Sequence, residues 1–268
     1  MSELVFLKLG GSLITDKRRY ETARPEVIER VAGEIATALN ARPEMRLIIG
    51  HGSGSYGHFA ADRFKVGQGN LDDWRGYAET AAAAQRLNRM VTDALLSAGV
   101  SAVSMQPSAS GKASHGSLVH LDIDPIAELL EHGLVPLVYG DVCIDEGQGC
   151  CIISTEQVFV YLAHSLRPQR IIEAGEVAGV YTGDPQRDSI VRLLPEITSR
   201  NYGEIEGLLS SSFGVDVTGG MLAKVRDLFA LVQRQPNLTV RIVSGRRGKL
   251  VERVLVDPEN QEGTLLRY

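Results

Sequence analysis

The chain has 268 residues, of which 44% are hydrophobic and 23% are charged, and this composition is ordinary for a globular protein. Its 33 acidic and 28 basic residues give a net charge of −5, which argues against a nucleic-acid-binding protein because such proteins usually carry a basic surface. The length fits one large α/β domain or two smaller ones.

The cysteines and the apolar segments bear on the cellular compartment. Three cysteines, two of them adjacent at Cys150 and Cys151, form neither a disulfide framework nor a zinc-ligand spacing. The N-terminal segment MSELVFLKLGG lacks the basic region and long apolar core of a signal peptide. No apolar run approaches the roughly 20 residues that span a bilayer. We therefore expect a reduced, cytoplasmic protein that does not insert into a membrane.

Short apolar segments alternate with helical patterns along the chain, which favours the α/β class with a largely parallel sheet covered on both faces. The spacing of apolar residues predicts strands at 4–9, 47–49, 100–105, 135–139, 170–172 and 240–243, a hairpin pairing 142–144 with 151–153, and helices at 25–39, 77–96, 125–131, 156–166 and 220–232. The loop at 175–189 is the longest and could separate two lobes.

Glycine-rich segments follow three of these strands, at 10–12, 50–57 and 140–141. Ligands of parallel α/β sheets bind beyond the carboxyl ends of the strands, and glycine lets backbone N–H groups approach an anion closely. KLGGS and HGSGSYGH therefore look like phosphate-binding loops, although tight turns between a strand and a helix could have the same sequence pattern. Neither is a Walker A motif, and the segment from Gly52 to Gly57 lacks the context of a dinucleotide-binding fingerprint.

Three lysines lie close to glycine pairs in the sequence. Lys8 interrupts an apolar strand two residues before Gly10, Lys17 ends the segment ITDK, and Lys224 follows the glycine pair in GGMLAKV. Phosphoryl transfer needs such cations to neutralise charge on the phosphate oxygens. A lysine at the edge of a sheet, with its ammonium group in solvent, is the alternative interpretation of Lys8.

The motifs KLGGSLITDK, GSYGH, ETAAAAQRLNRMV, VYGDV, GVYTGDP and DVTGGMLAKV occur in this order over nearly the whole chain. Together they resemble the amino acid kinase superfamily and, within it, the isopentenyl phosphate kinases. The histidine that ends GSYGH is the most specific feature, since the carboxylate and carbamate kinases of the superfamily lack it.

The resemblance implies an αβα sandwich with a central, mainly parallel sheet, formed by a single domain over residues 1–268. The N-terminal lobe, about 1–170, would bind the acceptor, and the C-terminal lobe, about 171–268, would bind the nucleotide. The reaction would move the γ-phosphate of ATP onto the phosphate of isopentenyl phosphate, with Mg²⁺ held mainly by the ATP phosphates rather than by a protein metal site. A homodimer is also implied.

Residue roles follow from matching motif positions. The resemblance implies catalytic roles for Lys8, Lys17 and His58, and substrate binding by Ser53, Gly57, His58, Ser154 and Thr155. It implies ATP binding by Lys8, Gly10, Gly11, Gly54, Gly179, Tyr181, Asp184, Pro185, Gly219, Gly220 and Lys224, with Glu156 as the carboxylate that orients the lysines. An imidazole at the rim of a glycine-rich loop suits a phosphate monoester, so His58 would hold the acceptor's phosphate, whereas His51 would be structural.

Three segments depart from the family pattern. Ser53 interrupts the usual glycine run, Thr155 and Glu156 replace a Gly-Asp pair, and the segment 173–178 replaces one rich in Thr and Asp. The acceptor's alkyl tail is expected against 81–84 of the long helix and against Val142, Ile144 and Ile152, which could equally be ordinary core residues.

Two other functions remain open from the sequence. One is a kinase of the same fold for another phosphate or phosphonate acceptor, of the fosfomycin type, since those enzymes share the histidine. The other is a non-catalytic phosphate or nucleotide sensor, against which the retention of all three lysines argues.

Overall fold

The structure is a computed structural model, which describes residues 2–69, 73–183, 190–212 and 220–268. Its strands are β1 Leu4–Leu9, β2 Arg46–His51, β3 Ala102–Ser104, β4 Lys112–Ser114, β5 Ser117–His120, β6 Val135–Tyr139, β7 Asp141–Asp145, β8 Gly149–Ile153, β9 Arg170–Gly175, β10 Glu196–Ile197, β11 Thr239–Ser244 and β12 Thr264–Leu266. Its helices are α1 Gly11–Ile14, α2 Pro25–Ala41, α3 Gly54–Phe64, α4 Arg75–Ser97, α5 Pro107–Ser110, α6 Asp124–Glu131, α7 Thr155–Leu166, α8 Tyr202–Ser212, α9 Gly220–Arg234 and α10 Leu250–Val256.

Eight strands form the main sheet in the order β10-β12-β11-β9-β1-β2-β6-β3. Every pairing in it is parallel except that of β11 with β12. The α/β class and the mainly parallel sheet expected from the sequence are confirmed. The sheet runs through both predicted lobes, because β9 from the C-terminal part pairs with β1, and the division into two lobes stays a prediction.

Both faces of the main sheet are covered, so its central strands are apolar throughout. In β1, Val5, Leu7 and Leu9 belong to the core under α2, α4 and α10, whereas Leu4 and Phe6 belong to the core under α7 and α9. Successive side chains of a strand point to opposite faces. Lys8 consequently lies on the face of Leu4 and Phe6, towards α7 and α9.

A smaller sheet has the order β5-β4-β7-β8. The predicted hairpin is confirmed: β7 and β8 pair antiparallel, with Val142 opposite Ile152 and Cys143 opposite Cys151. All three cysteines are free and buried. Among the described residues, no helix is both long enough and apolar enough to cross a membrane.

Candidate active site

The two glycine-rich loops lie against each other, because β1 and β2 are parallel neighbours and end at the same edge of the sheet. A Cβ atom on Gly11 would lie 2.7 Å from the backbone nitrogen of Gly54, and one on Gly52 would lie 2.8 Å from the backbone nitrogen of Gly11. Gly54 also has φ +52°, a conformation that favours glycine. Only glycine fits this approach, so the two loops form one surface.

Four backbone donors of these loops have no acceptor among the described residues. Within the described residues, the N–H groups of Gly11, Ser12, Ser53 and Gly54 donate to no protein group. Helix α3 begins at Gly54, which adds the positive end of its dipole. Convergent, unpaired N–H groups at a helix N-terminus are suited to a phosphate.

Two lysines and two glutamates form a cluster beside the loops, in which Lys8 and Glu173 are buried and Glu156 and Lys224 are half-buried. The Lys8 ammonium contacts Glu156 and lies 3.4 Å from Glu173, and Lys224 lies 3.1 Å from Glu173 and 3.5 Å from Glu156. Lys8 is 5% exposed, which excludes the alternative of a lysine at the sheet edge with its ammonium group in solvent. The cluster joins β1, α7, β9 and α9 at one end of the sheet.

Charge pairing keeps Glu156 and Lys224 ionised. Burial opposes the ionisation of Glu156, but the charges of Lys8 and Lys224 outweigh it and lower the pKa of Glu156 to about 2. Burial likewise opposes the charge on Lys224, yet Glu173 and Glu156 raise its pKa above the usual value. Lys224 therefore remains positive in the free protein.

Glu173 is a member of the cluster that the motif reasoning missed. It is 2% exposed on β9, and its Oε1 atom has no hydrogen-bond partner in the described parts of the chain. A signal was present in the sequence, since Glu173 is the one charged residue inside the apolar run 171–174, as Lys8 is inside 4–9. The structure places these two residues in register on paired parallel strands.

Lys17 and His58 follow the two glycine-rich loops along the chain. Lys17 is exposed in the turn that follows α1, and His58 is in the second turn of α3, where its ring bonds the Gly54 carbonyl. His58 is accessible to solvent, but the protein around its ring lowers its pKa by desolvation, and the charge of Lys17 lowers it further. The effect of Lys17 on this pKa indicates that the two side chains lie near each other.

Ser53 and Gly57 form the entry to α3, and Ser154 and Thr155 form the entry to α7. A Cβ atom on Gly57 would lie 2.6 Å from the Ser53 Cβ, so glycine is required beneath Ser53. The Ser154 hydroxyl caps α7 by accepting from Gln157 N at 3.1 Å. Thr155 is 1% exposed and donates its hydroxyl to the His51 carbonyl at 2.7 Å. A ligand could thus meet Thr155 only through its backbone.

The residues expected on the nucleotide side are partly described. A Cβ atom on Gly179 would lie 3.0 Å from the Thr264 nitrogen, so this glycine lets the chain pack against β12. Tyr181 forms a bridge with Leu193, and Gly220 begins α9. Asp184, Pro185 and Gly219 lie outside the described residues.

The expected walls of the acceptor's tail divide into two groups. Val142 packs with Val66, Cys150, Tyr77 and Ala81 in a small apolar cluster between α3, α4 and the hairpin. The same strand face continues to Ile144 and Ile152, which are 45% and 38% exposed. Within the alanine run, Ala83 and Ala84 are 0% and 1% exposed and so offer a ligand almost no surface, whereas Ala82 is half-buried.

A cleft of about 370 Å³ lies between α7, α9 and β5, with Gln157, His164, Asp227 and Arg234 among its lining residues. None of the expected site residues lines it. The cleft is therefore distinct from the surface formed by the two glycine-rich loops.

Comparisons with known proteins agree with this geometry. The family model described as the amino acid kinase family matches residues 3–244. The chain belongs to the amino acid kinase family. The family resemblance seen in the sequence is thereby confirmed, and the two glycine-rich loops and the lysine cluster lie inside the matched region.

Several similar proteins of this family are isopentenyl phosphate kinases. The chain is 38% identical to the isopentenyl phosphate kinase of Methanothermobacter thermautotrophicus over 265 residues, or 96% of either chain. It is 35% identical to that of Methanocaldococcus jannaschii, over 83% of this chain and 85% of that enzyme. A crystal structure described as an isopentenyl phosphate kinase matches with a TM-score of 0.84 and 34% identity, covering 98% of this chain and 99% of the other.

A more distant structure extends the fold comparison. A UMP kinase from Bacillus anthracis matches with a TM-score of 0.65 at 15% identity, covering 99% of this chain and 96% of that one, and this likeness shows the fold alone.

Proposed function

We propose that this protein transfers the γ-phosphoryl group of ATP to the phosphate of isopentenyl phosphate, giving isopentenyl diphosphate and ADP. One observation carries the proposal: N–H groups without a protein acceptor in the described part of the chain follow β1 and β2, at the end of the sheet where the buried Lys8 and the half-buried Lys224 share two glutamates. The exposed Lys17 and His58 follow these N–H groups along the chain. A donor and an acceptor phosphate could thus meet over one surface. The similarity to isopentenyl phosphate kinases along 96% of the chain supports this acceptor.

On the donor side, Lys8 and Lys224 would hold the triphosphate. Their ammonium groups are paired with Glu156 and Glu173, which fix their positions. Charge developing on the transferring phosphoryl oxygens is stabilised by cations that need no reorganisation. The N–H groups of Gly11 and Gly54 would add neutral donors to the same oxygens.

On the acceptor side, His58 and the Ser53 N–H would hold the phosphate of isopentenyl phosphate. Lys17 would stabilise the negative charge on the transferring phosphoryl oxygens in the transition state. These donors would bring the attacking oxygen into line with the bond that breaks, which is the main contribution a protein makes to phosphoryl transfer.

The residues present fit a magnesium ion held by the nucleotide. Within the described ranges, no group of three or more His, Cys, Asp or Glu side chains could form a protein cage for a metal, and Glu156 and Glu173 are both engaged by lysines. Mg²⁺ commonly binds through substrate phosphates with few protein ligands. When bound, it would neutralise charge on the β- and γ-phosphates.

A coupled ADP-release assay tests the proposal on isopentenyl phosphate, dimethylallyl phosphate, geranyl phosphate and fosfomycin. We expect the highest kcat/KM with isopentenyl phosphate. A preference for fosfomycin would instead assign the chain to the phosphonate kinases, and ADP release with none of the four would favour a phosphate sensor. The homodimer and the cytoplasmic location remain predictions, of which sedimentation velocity tests the first.

A further inference from the structure

His51 ends β2 directly before the glycine-rich loop, and the phosphoryl transfer proposed above makes no use of it. Its side chain is fully buried. Nδ1 lies 3.1 Å from the Gly52 carbonyl oxygen, and Nε2 lies 3.1 Å from Asn88 Nδ2 on α4. The ring stacks on Tyr139 with 5.5 Å between the ring centroids and 9° between the planes.

These partners determine which nitrogen carries the proton. A carbonyl oxygen can only accept, so Nδ1 must be the protonated nitrogen. Asn88 Nδ2 can only donate, so Nε2 must carry the lone pair. Asn88 is held in this orientation because its Oδ1 accepts from the Ser104 hydroxyl. Burial lowers the pKa of His51 to about 4, so the ring remains neutral at neutral pH.

The Nδ1 contact determines the orientation of the next peptide. The peptide unit is planar and trans, so its C=O and N–H point in opposite directions. When the Gly52 carbonyl faces the buried imidazole, the Ser53 N–H faces away from it, and in the described structure this N–H has no protein acceptor. The preceding His51–Gly52 peptide is also fixed: Gly52 N donates to Leu9 O at 3.0 Å, and the His51 carbonyl accepts from Gly140 N at 3.0 Å.

We propose that His51 is a positioning residue: held by Asn88 as its Nδ1-protonated tautomer, it turns the Gly52–Ser53 peptide so that the Ser53 N–H points at the acceptor's phosphate. This inference rests on the proposed function for the identity of the acceptor. Glycine at position 52 leaves this peptide free to rotate, and the imidazole removes that freedom before the ligand arrives. Pre-ordering of this kind lowers the entropic cost of binding.

Two substitutions separate the roles of the two ring nitrogens. Asn places its amide nitrogen near the position of Nδ1, whereas Gln places its amide nitrogen near that of Nε2. His51→Asn should keep KM for isopentenyl phosphate within about 3-fold of wild type, because the donor to Gly52 remains. His51→Gln should raise that KM by about 10-fold, with a smaller change in kcat. Equal effects of the two variants on KM would overturn the proposal.

A measurement on the unmodified protein covers the case in which neither variant folds. Long-range ¹H–¹⁵N NMR of the full-length protein at pH 7 should find His51 protonated at Nδ1 and unprotonated at Nε2. A ring protonated at Nε2, or at both nitrogens, would overturn the proposal. The NMR result is independent of the acceptor, so failure to turn over isopentenyl phosphate would refute the proposed function without deciding the role of His51.

Asn88→Asp tests the link between α4 and the loop. A carboxylate at this position could only accept, so it would draw the proton to Nε2 and leave Nδ1 without its hydrogen towards Gly52. The NMR spectrum should then show Nε2 protonated, and the Kd for isopentenyl phosphate, measured calorimetrically, should rise by about 10-fold. A changed tautomer with an unchanged Kd would overturn the proposal.

The matched control for this variant is Gln85→Glu, which likewise turns an amide into a carboxylate at an exposed position of α4. The Gln85 amide contacts Gln106 and not His51. This control should leave both the tautomer of His51 and the Kd unchanged. A loss of affinity equal to that of Asn88→Asp would mean that a change of charge on α4, rather than the tautomer, weakens binding, and would also overturn the proposal.

Discussion

Lys8 and Lys17 are both expected to act on the transferring phosphoryl group, but their surroundings differ. Lys8 is buried and paired with Glu156 and Glu173, whereas Lys17 is exposed in a turn. Removal of Lys8 leaves the buried Glu173 and the half-buried Glu156 to share Lys224, and insufficiently paired charge in such surroundings is destabilising. Removal of Lys17 leaves the core intact.

We therefore expect Lys8→Ala and Lys17→Ala each to lower kcat by about 10²–10³-fold, as is typical when one donor to transition-state charge is lost. Only Lys8→Ala should also lower the free energy of unfolding measured in urea. Lys112→Ala, at an exposed position of β4, is the control and should change neither quantity. Turnover near the wild-type rate in both site variants would refute the assignment of phosphoryl transfer.

His58 gives the clearest pH-dependent prediction. In the free protein its pKa lies below 6.5, because desolvation and Lys17 disfavour the charged ring. A bound dianionic phosphate favours that charge and raises the pKa, so binding at pH 7 should take up protons. The acceptor's affinity should therefore increase as the pH falls from about 8 towards 6, until the phosphate itself is protonated near pH 6.

Calorimetry in buffers of different ionisation enthalpy measures this proton uptake directly. In His58→Asn the uptake should disappear, and kcat/KM for isopentenyl phosphate should fall by about 10–150-fold, corresponding to a lost hydrogen bond to a charged group of roughly 1.5–3 kcal/mol. The Kd for ATP should change little. Full kcat/KM in this variant with every phosphate monoester tried would make His58 a structural residue.

Helix α9 brings Lys224, which we propose binds the nucleotide, to the cluster, because the helix begins at Gly220 and carries this lysine in its second turn. Lys224→Ala should raise KM for ATP more than KM for the acceptor, as judged from initial rates with each substrate varied in turn. The control is Arg226→Ala on the same helix, whose guanidinium pairs with Glu206 on α8. An effect of Lys224→Ala on the acceptor alone would place this lysine on the other side of the site.

The elements that the sequence predicted are those whose pattern arises from burial. One side of helix α4 is buried, and in the sequence this side appears as apolar residues repeated every four positions, at Leu87, Val91 and Leu95. The β4–β5 hairpin was missed, since its strands are short and largely polar or exposed. Helix α10 was missed because the run LVERVLV also fits a strand.

Long-range contacts account for what no local pattern could predict. Asp145 accepts from the backbone N–H groups of His115, Gly116, Gly147 and Gln148, and so ties the β4–β5 turn to the β7–β8 turn. These hydrogen bonds lower the pKa of Asp145 to about 2 against the opposing effect of burial. Similarly, the approach of Gly11 to Gly54 depends on the pairing of β1 with β2, and the pairing of Lys8 with Glu173 depends on that of β1 with β9.

The chain as a whole is held together partly through the charge cluster. Lys8 and Glu156 precede residue 170, whereas Glu173 and Lys224 follow it, so the cluster joins the two halves across the β1–β9 pairing. The pKa of Glu156, lowered from 4.5 to about 2, makes this link dependent on pH. A carboxyl group with a lowered pKa in the folded state stabilises the fold above its unfolded pKa and loses that contribution as the pH falls towards the folded value.

The urea-unfolding free energy of the wild type should therefore fall as the pH is lowered from about 4.5 to 2, by at most about 3 kcal/mol from this group. Glu156→Gln removes the titrating group but keeps its size, so its deficit relative to wild type should be largest at about pH 6–7 and should shrink towards pH 2. Glu29→Gln, at an exposed position of α2, is the control and should leave the wild-type profile unchanged. A deficit that stays constant over this whole pH range would mean that Glu156 stabilises the fold by packing alone, and the lysines would then owe their positions to Glu173.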